Sequence, residues 1–383
     1  MEVTEVEAVV LESAVGTIPL SGGKGGVLDA TVTPIIARVH TDEGITGIGE
    51  TFIEDPSSEK AKWVGQSIRG LAKHLEGKDP REALDRWQEM YVNTKRTGSY
   101  LALSAIDEAL WDIKGKKAGV PVYELLGGKS TEVSAYATFP HAKPIDELIE
   151  DSQWLHDKGF ELIKIVVGKT HGDDVDHDKQ RIREVSEHTP DGFGLACDAN
   201  TSYTFPEALA VGETASECGL AWFEEPIDHL DIEGQANLNS RLSVPISGYQ
   251  THKPHYPARD HLVADALEIY QPTLDLVGGV TAAQSVATMV EAFNKRMVPH
   301  TFGPGINYMA SLHVATASPA CDLIEFAVYD DEADDPGEFV ASPYIQDQGE
   351  TIYVQDGGVI EPPEKPGLGI ELDENALEEY RVD

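Results

Sequence analysis

The chain has 383 residues, 41% of them hydrophobic, which is enough for one large domain and a smaller one, each with its own core. It carries 67 acidic against 29 basic residues, a formal net charge of −38, so partners that need a basic patch, nucleic acid and anionic membranes, are excluded. The acids are spread along the whole chain, the composition of a halophile's protein working where salt screens self-repulsion to a Debye length of about 3 Å at 1 M. The melting midpoint is therefore expected to rise between low and molar KCl, and a salt-independent melting curve would remove that reading.

The N-terminal "MEVTEVEAVV" has no basic stretch ahead of an apolar core, and no apolar run approaches about 18 residues. The expectation is a cytoplasmic chain with no signal peptide and no transmembrane helix. Cys197, Cys218 and Cys321 are scattered without metal-ligand spacing, which predicts buried free thiols. "GGKGG" at 22–26 reads as a mobile lid. As a phosphate cradle it fails, because no helix opening with Lys-Ser/Thr follows. "TPIIARVHTDEGITGIGET" predicts two alternating strands about a turn at Asp42-Glu43-Gly44, with helices after it that include "ALSAIDEALWDIKGKKAG". Residues 1–130 are thus an α+β module.

From residue 133 a strand-then-helix unit repeats. Strands are predicted at 133–139, 162–168, 194–199, 220–225, 244–250, 267–273, 297–302 and 322–328, with helical patterns such as "PIDELIEDSQWLHDKG" and "TAAQSVATMVEAFNK" between them. Eight units in a row favour a β/α barrel over 131–340, and "ATFPHAK" after the first strand is not the Gly-rich loop of an open doubly wound sheet. Residues 341–383, with "ETIYVQDGGVI" strand-like, form a C-terminal segment expected to return to the cap. The fold class is α/β: a modified TIM barrel with an N-terminal α+β capping domain.

Barrel chemistry sits at the C-terminal strand ends. Asp198, Glu224 and Gln250 close strands three, four and five at a constant spacing of 26 residues. Three oxygen donors from adjacent strands suit a hard cation such as Mg2+. Lone acids at strand ends more often cap a helix; it is the series that argues for a metal. Lys164 on strand two and His300 on strand seven are candidate acid–base groups. Glu325 on strand eight is polar where an apolar residue would be easier to bury.

With these motifs in place, the chain resembles the enolase superfamily, in its mandelate racemase and muconate lactonizing enzyme group. "CDAN", "WFEEP", "QPTLDLVGGVT" and "VPHTFGPG" are similar to that group's barrel motifs, and "ALSAIDEALWDIKGKKAGVPVYELLGG" to its capping pattern. The resemblance implies that Mg2+ and a lysine bind a substrate carboxylate while a base removes the α-proton. It assigns Asp198 and Glu224 as metal ligands, Glu225 as a supporting acid and Asn200 as a polar residue behind the metal. Lys164 becomes the first lysine of Lys-x-Lys, His300 the strand-seven acid–base group, and Glu325 the acid that bonds the substrate carboxylate. Specificity is placed in the cap, with Lys24 in the 20s loop and Phe52 beside Thr51 against the substrate, and a homo-oligomer is expected.

Three residues depart from the pattern. Val166 replaces the second lysine, and Lys169 lies past Gly168 with different parity. Thr273 stands where an aspartate usually orients the histidine, and Asp275, of equal parity, is the expected substitute. Gln250 replaces a third carboxylate ligand. A racemase needs two opposed acid–base groups, whereas a dehydratase works with one. The sequence therefore points to a Mg2+-dependent dehydratase of an aldonate or aldarate. A cycloisomerase of a sugar-acid lactone or related carboxylate, and a non-catalytic binder of sugar acid or metal, are the alternatives. Tyr249 and His252 are further candidates for the acid.

Overall fold

The structure is a computed structural model that describes residues 1–12, 17–22, 26–54, 58–129, 132–139, 143–168, 174–328, 335–339 and 342–383. Four antiparallel strands open the chain: β1 (Val3–Val10), β2 (Thr17–Gly22), β3 (Gly26–Thr41) and β4 (Thr46–Glu54). β3 is central, pairing with β1, β2 and β4. The turn between β3 and β4 holds Gly44 at φ +76°, in the left-handed region that favours glycine. Three helices follow, α1 (Ser58–Leu71), α2 (Ala83–Thr97) and α3 (Tyr100–Ala118). α3 is buried along nearly its whole length, and it packs on β4 so closely that a Cβ at Gly49 would lie 2.0 Å from the Ala105 carbonyl oxygen. These four strands and three helices form the cap.

Eight parallel strands make the body of the second sheet: β5 (Val133–Thr138), β6 (Leu162–Val166), β7 (Gly194–Asp198), β8 (Phe223–Glu224), β9 (Ile246–Gly248), β10 (Ile269–Tyr270), β11 (Arg296–Met297) and β12 (Leu323–Ala327). Each lies within or one residue beyond its predicted segment, though the paired portions of β8 to β11 are shorter. They run in order from β11 back to β5 and on to β12. The two ends of this curled sheet meet where Met297 N donates to Ala320 O at 2.9 Å and Thr301 Oγ1 to Glu325 O at 2.5 Å.

The intervening helices stop where the sequence stops them. Ile145–Lys158 ends at Gly159, at φ +100°, and Phe205–Cys218 opens on a capping box between Thr204 and Glu207. The C-terminal segment touches both parts of the chain. β13 (Val359–Ile360) pairs antiparallel with β5, while Val382 N donates to Val10 O. "ETIYVQDGGVI" is only partly strand, because Glu350 and Thr351 lie in a short helix. Cys197 alone of the three thiols is fully buried; Cys218 and Cys321 are half-buried. Among the described residues no helix is long and apolar enough to cross a membrane.

One apolar layer plugs the barrel: Tyr136, Leu162, Ala196, Trp222, Ile269, Val298 and Leu323. Burying each large member contributes about 1.5–3 kcal/mol. Side chains alternate along a strand, so the next inward position is two residues on. That step reads Thr138, Lys164, Asp198, Glu224, Gln271, His300 and Glu325. The polar site is the layer above the plug.

Candidate active site

Lys164 is the centre. Its ammonium lies 2.5 Å from Glu224 Oε1, 2.8 Å from Glu325 Oε1 and 3.6 Å from Asp198 Oδ2, and its side chain is 3% exposed. Burial alone would lower its pKa, but Glu224 and Glu325 outweigh burial and hold it well above the ordinary lysine value. Lys164 is therefore a fixed positive charge and a poor base.

Glu224 accepts from four side chains. Lys164 and the Gln250 amide meet Oε1, while Trp222 Nε1 at 2.8 Å and Gln271 Nε2 at 2.7 Å meet Oε2. Asp198 Oδ1 accepts the Asn200 N–H at 2.8 Å. Burial, then the neighbouring Glu224, pushes the Asp198 carboxyl well above its ordinary range. Glu225 is raised to about 7 by burial and by Glu224. For Glu325 burial works upward too, but Lys164 and His300 bring it below its usual value. In this state Glu325 is an acceptor, taking the Thr301 N–H at 2.9 Å.

Gln250 reaches the site by an irregularity. In register Asp198 pairs with Glu224, and Glu224 pairs with Ser247, so Gln250 stands three residues beyond the equivalent position. Alternation from Ser247 would turn Gln250 outward. Tyr249, at φ +90°, breaks the alternation and returns the amide to Glu224. A bulky residue there is strained, and two contacts hold it: Tyr249 Oη donates to Pro254 O at 3.2 Å, and its ring stacks on His252 at 4.6 Å. The constant spacing of 26 thus does not mark equal register. Tyr249 and His252 pack against each other, with His252 6% exposed and pushed down to about 3 by burial.

His300 is 19% exposed, with Nδ1 3.0 Å from Thr273 Oγ1 and Nε2 3.9 Å from Glu325 Oε2. This corrects one expectation. Thr273 itself partners the ring, joined to His300 by a β-bridge, while Asp275 Oδ2 accepts Thr51 Oγ1 at 3.3 Å on the cap side. Residues two apart on a strand share a face, but a short helix, Leu274–Val277, starts immediately after Thr273, so strand parity no longer applies at Asp275. Burial lowers the His300 pKa below the ordinary imidazole value.

Val166 pairs in register with Asp198, an apolar side chain 8% exposed beside an acid. Phe52 packs with Val32, Phe302 and Ala327 at the barrel mouth. Lys24 and Lys169 lie outside the described residues, as does the tip of the 22–26 loop, whose ends Gly22 and Gly26 are paired across β2 and β3. Trp222 and Gln271 escaped the sequence reading. The available signal was parity: Trp222 is two residues before Glu224, and Gln271 two before Thr273.

The donor set fits a hard divalent cation. Asp198, Glu224, Glu225 and Glu325 are four buried carboxylates around one lysine, and Glu225 Oε1 and Gln271 Oε1 are buried acceptors without a hydrogen-bond partner. Among the described residues no three acid, imidazole or thiol side chains form a ready metal cage. Lys164 stands between the acids, and the third strand-end donor is an amide.

Acids and amides on adjoining strand ends, with one lysine among them and an α+β cap above, define a capped β/α barrel with an oxygen-donor site at its mouth. More narrowly, the chain belongs to the mandelate racemase/muconate lactonizing enzyme family of the enolase superfamily. Residues 5–127 match the family model for the mandelate racemase/muconate lactonizing enzyme N-terminal domain, and residues 147–376 the model described as enolase C-terminal domain-like. The chain is 30% identical over 376 residues to arabinonate dehydratase of Saccharolobus solfataricus, covering 93% of this chain and 92% of that protein. It is 32% identical over 365 residues to D-galactarolactone cycloisomerase of Agrobacterium fabrum, covering 91% of each. A racemase from Streptomyces coelicolor A3(2), solved with bound magnesium, has a TM-score of 0.85 at 25% identity, covering 99% of this chain and 100% of that one.

Proposed function

We propose that the chain is a Mg2+-dependent hydro-lyase that dehydrates a sugar acid, an aldonate or aldarate. The observation that carries this reading is the asymmetry of the site. His300 stands oriented on the strand-seven side, and strand two offers the aprotic Val166 in place of a second base.

Lys164, fixed as a cation, binds the substrate carboxylate. With its Nδ1–H given to Thr273 Oγ1, His300 keeps a lone pair on Nε2 and takes the α-proton. The C–H electron pair becomes the new C=C bond, the β C–O bond breaks, and the same imidazolium returns its proton to the departing hydroxyl, so that water leaves. Asp198, Glu224 and Gln250 would hold Mg2+, with Asn200 and Glu225 behind them. When bound, the ion stabilises the negative charge that develops on the substrate's oxygens. Phe52 lines the substrate's remote end.

Similarity to the D-galactarolactone cycloisomerase supports a second reading, isomerisation of a lactone, because that reaction also needs one proton-transfer group. Purified protein in molar KCl with Mg2+, tested against aldonates, aldarates and their lactones, separates the cases. A 2-keto-3-deoxy acid is the expected product. An isomer formed without loss of water favours the cycloisomerase, and binding without turnover sinks both.

Gln250→Glu tests the metal row. The variant loses the N–H given to Glu224 and adds a charge, so Mg2+ affinity measured by calorimetry is expected to tighten. Weaker binding would place Gln250 outside the ligand set.

A further inference from the structure

Two barrel loops are gripped by the cap through several hydrogen bonds each. The first follows β10. Asp275 Oδ2 accepts Thr51 Oγ1 at 3.3 Å, Asp275 O accepts Ser104 Oγ at 2.6 Å, and Gly278 O accepts Trp87 Nε1 at 2.7 Å. Thr281 N donates to Asp107 Oδ2 at 2.8 Å. The second loop follows β11. Ile306 and Asn307 give their backbone N–H groups to Glu50 Oε2 at 2.8 and 3.2 Å, and Asn307 Nδ2 donates to Glu108 Oε1 at 2.9 Å. Tyr344 Oη donates to the other Glu50 oxygen. Between His300 and Ile306 the chain is pressed against β4, since a Cβ at Gly303 would lie 2.5 Å from the Phe52 ring.

These two loops carry Thr273 and His300. The described partners of Asp198, Glu224 and Gln250, by contrast, all lie in the barrel. The cap therefore grips the acid–base half of the mouth and leaves the metal half to the barrel. We propose that Glu50 is a positioning residue for His300, acting through the first turn of the helix Gly305–Ala317, while Thr51 steadies Thr273 through Asp275. Glu50 is fully buried, and a buried carboxylate is costly unless its oxygens are met. Its partners are the two N–H groups at the positive end of that helix and one phenol, so its placement and the helix's are mutually fixed. Three consecutive cap residues, Glu50, Thr51 and Phe52, fasten the loops on both sides of the Thr273–His300 pair. The inference rests on His300 as the proton carrier.

The test compares Glu50→Ala, Glu50→Gln, Thr51→Val and Asp112→Asn. The last is a control: Asp112 is as buried as Glu50, but it holds Ile48 N and Leu368 N, away from His300. Glu50→Ala is expected to lower kcat about tenfold or more while KM and the Mg2+ dissociation constant stay within about threefold. Glu50→Gln keeps an acceptor for the helix and should recover most of the rate. Thr51→Val should show a smaller fall, and Asp112→Asn none beyond about twofold. Ring 15N shifts of His300 should move in Glu50→Ala and not in Asp112→Asn. They report where the ring stands whether or not it carries the proton, whereas turnover retained in His300→Asn would instead refute the base assignment. Unchanged kcat and unchanged His300 shifts in Glu50→Ala overturn the proposal, as does metal affinity falling in step with kcat. If Glu50→Ala does not fold, the decision passes to Thr51→Val, where an unchanged rate with unchanged ring shifts overturns it equally.

Discussion

His300→Asn is expected to lower kcat by about 10² to 10⁴ and to leave Mg2+ affinity intact. The substitution keeps a hydrogen-bonding side chain beside Thr273 Oγ1 but removes the only described imidazole in the polar layer above the plug. Exchange of the substrate α-proton with solvent deuterium should disappear with turnover, because both need the same lone pair. The pH profile gives a second check. Burial lowers the His300 pKa, with Glu325 working upward and Lys164 downward. A base must be neutral, so wild-type kcat/KM should persist below the ordinary imidazole range and fall only as pH drops through the depressed value. Folding has the same sign: protonating a histidine that is held neutral costs stability as pH falls from its unfolded value of about 6.5. Near wild-type turnover in His300→Asn would move the base elsewhere, and Lys169 would be the first residue to test.

The barrel was legible because its signals are periodic. Seven of the eight strands pair an apolar bottom residue with a polar one two positions later, as in Leu162 and Lys164 or Trp222 and Glu224. Asp198, Glu224, Lys164, His300 and Glu325 could be placed on that pattern alone. The sequence rules run out where the chain leaves the pattern. Gln250 was assigned by its spacing, yet it reaches Glu224 only through the positive φ of Tyr249, a reversal that no alternation rule foresees. Asp275 was chosen by strand parity one residue after the strand had become helix. The buried acids of the cap, Glu50, Asp107 and Glu108, read as ordinary helix and strand surface. Their partners are backbone N–H groups roughly 60 to 260 residues away in sequence, and a backbone donor leaves no mark on composition.

Lys164→Met should be the most damaging single change to stability as well as to rate. The ammonium is the common partner of Glu224, Glu325 and Asp198, all nearly or fully buried. Removing one member of a buried ionic cluster costs about 3–5 kcal/mol, because the carboxylates keep their desolvation and lose their attraction. The loss should depend on pH. In the wild type Lys164 is the main influence holding Glu325 below its usual value against burial. Without it, burial pushes the Glu325 carboxyl upward as it already does that of Asp198, and protonation then relieves the cluster. An acid whose folded pKa exceeds its unfolded value loses stability as pH rises, so Lys164→Met should melt higher at pH 5 than at pH 8. Mg2+ should raise its melting midpoint more than it raises that of the wild type, since a cation on Asp198 and Glu224 replaces part of the missing charge. Turnover should be lost under all of these conditions, for Mg2+ cannot stand in for the proposed substrate anchor on strand two. A variant that melts like the wild type at both pH values, or retains activity, would show that Lys164 is neither the electrostatic centre of the cluster nor a substrate anchor.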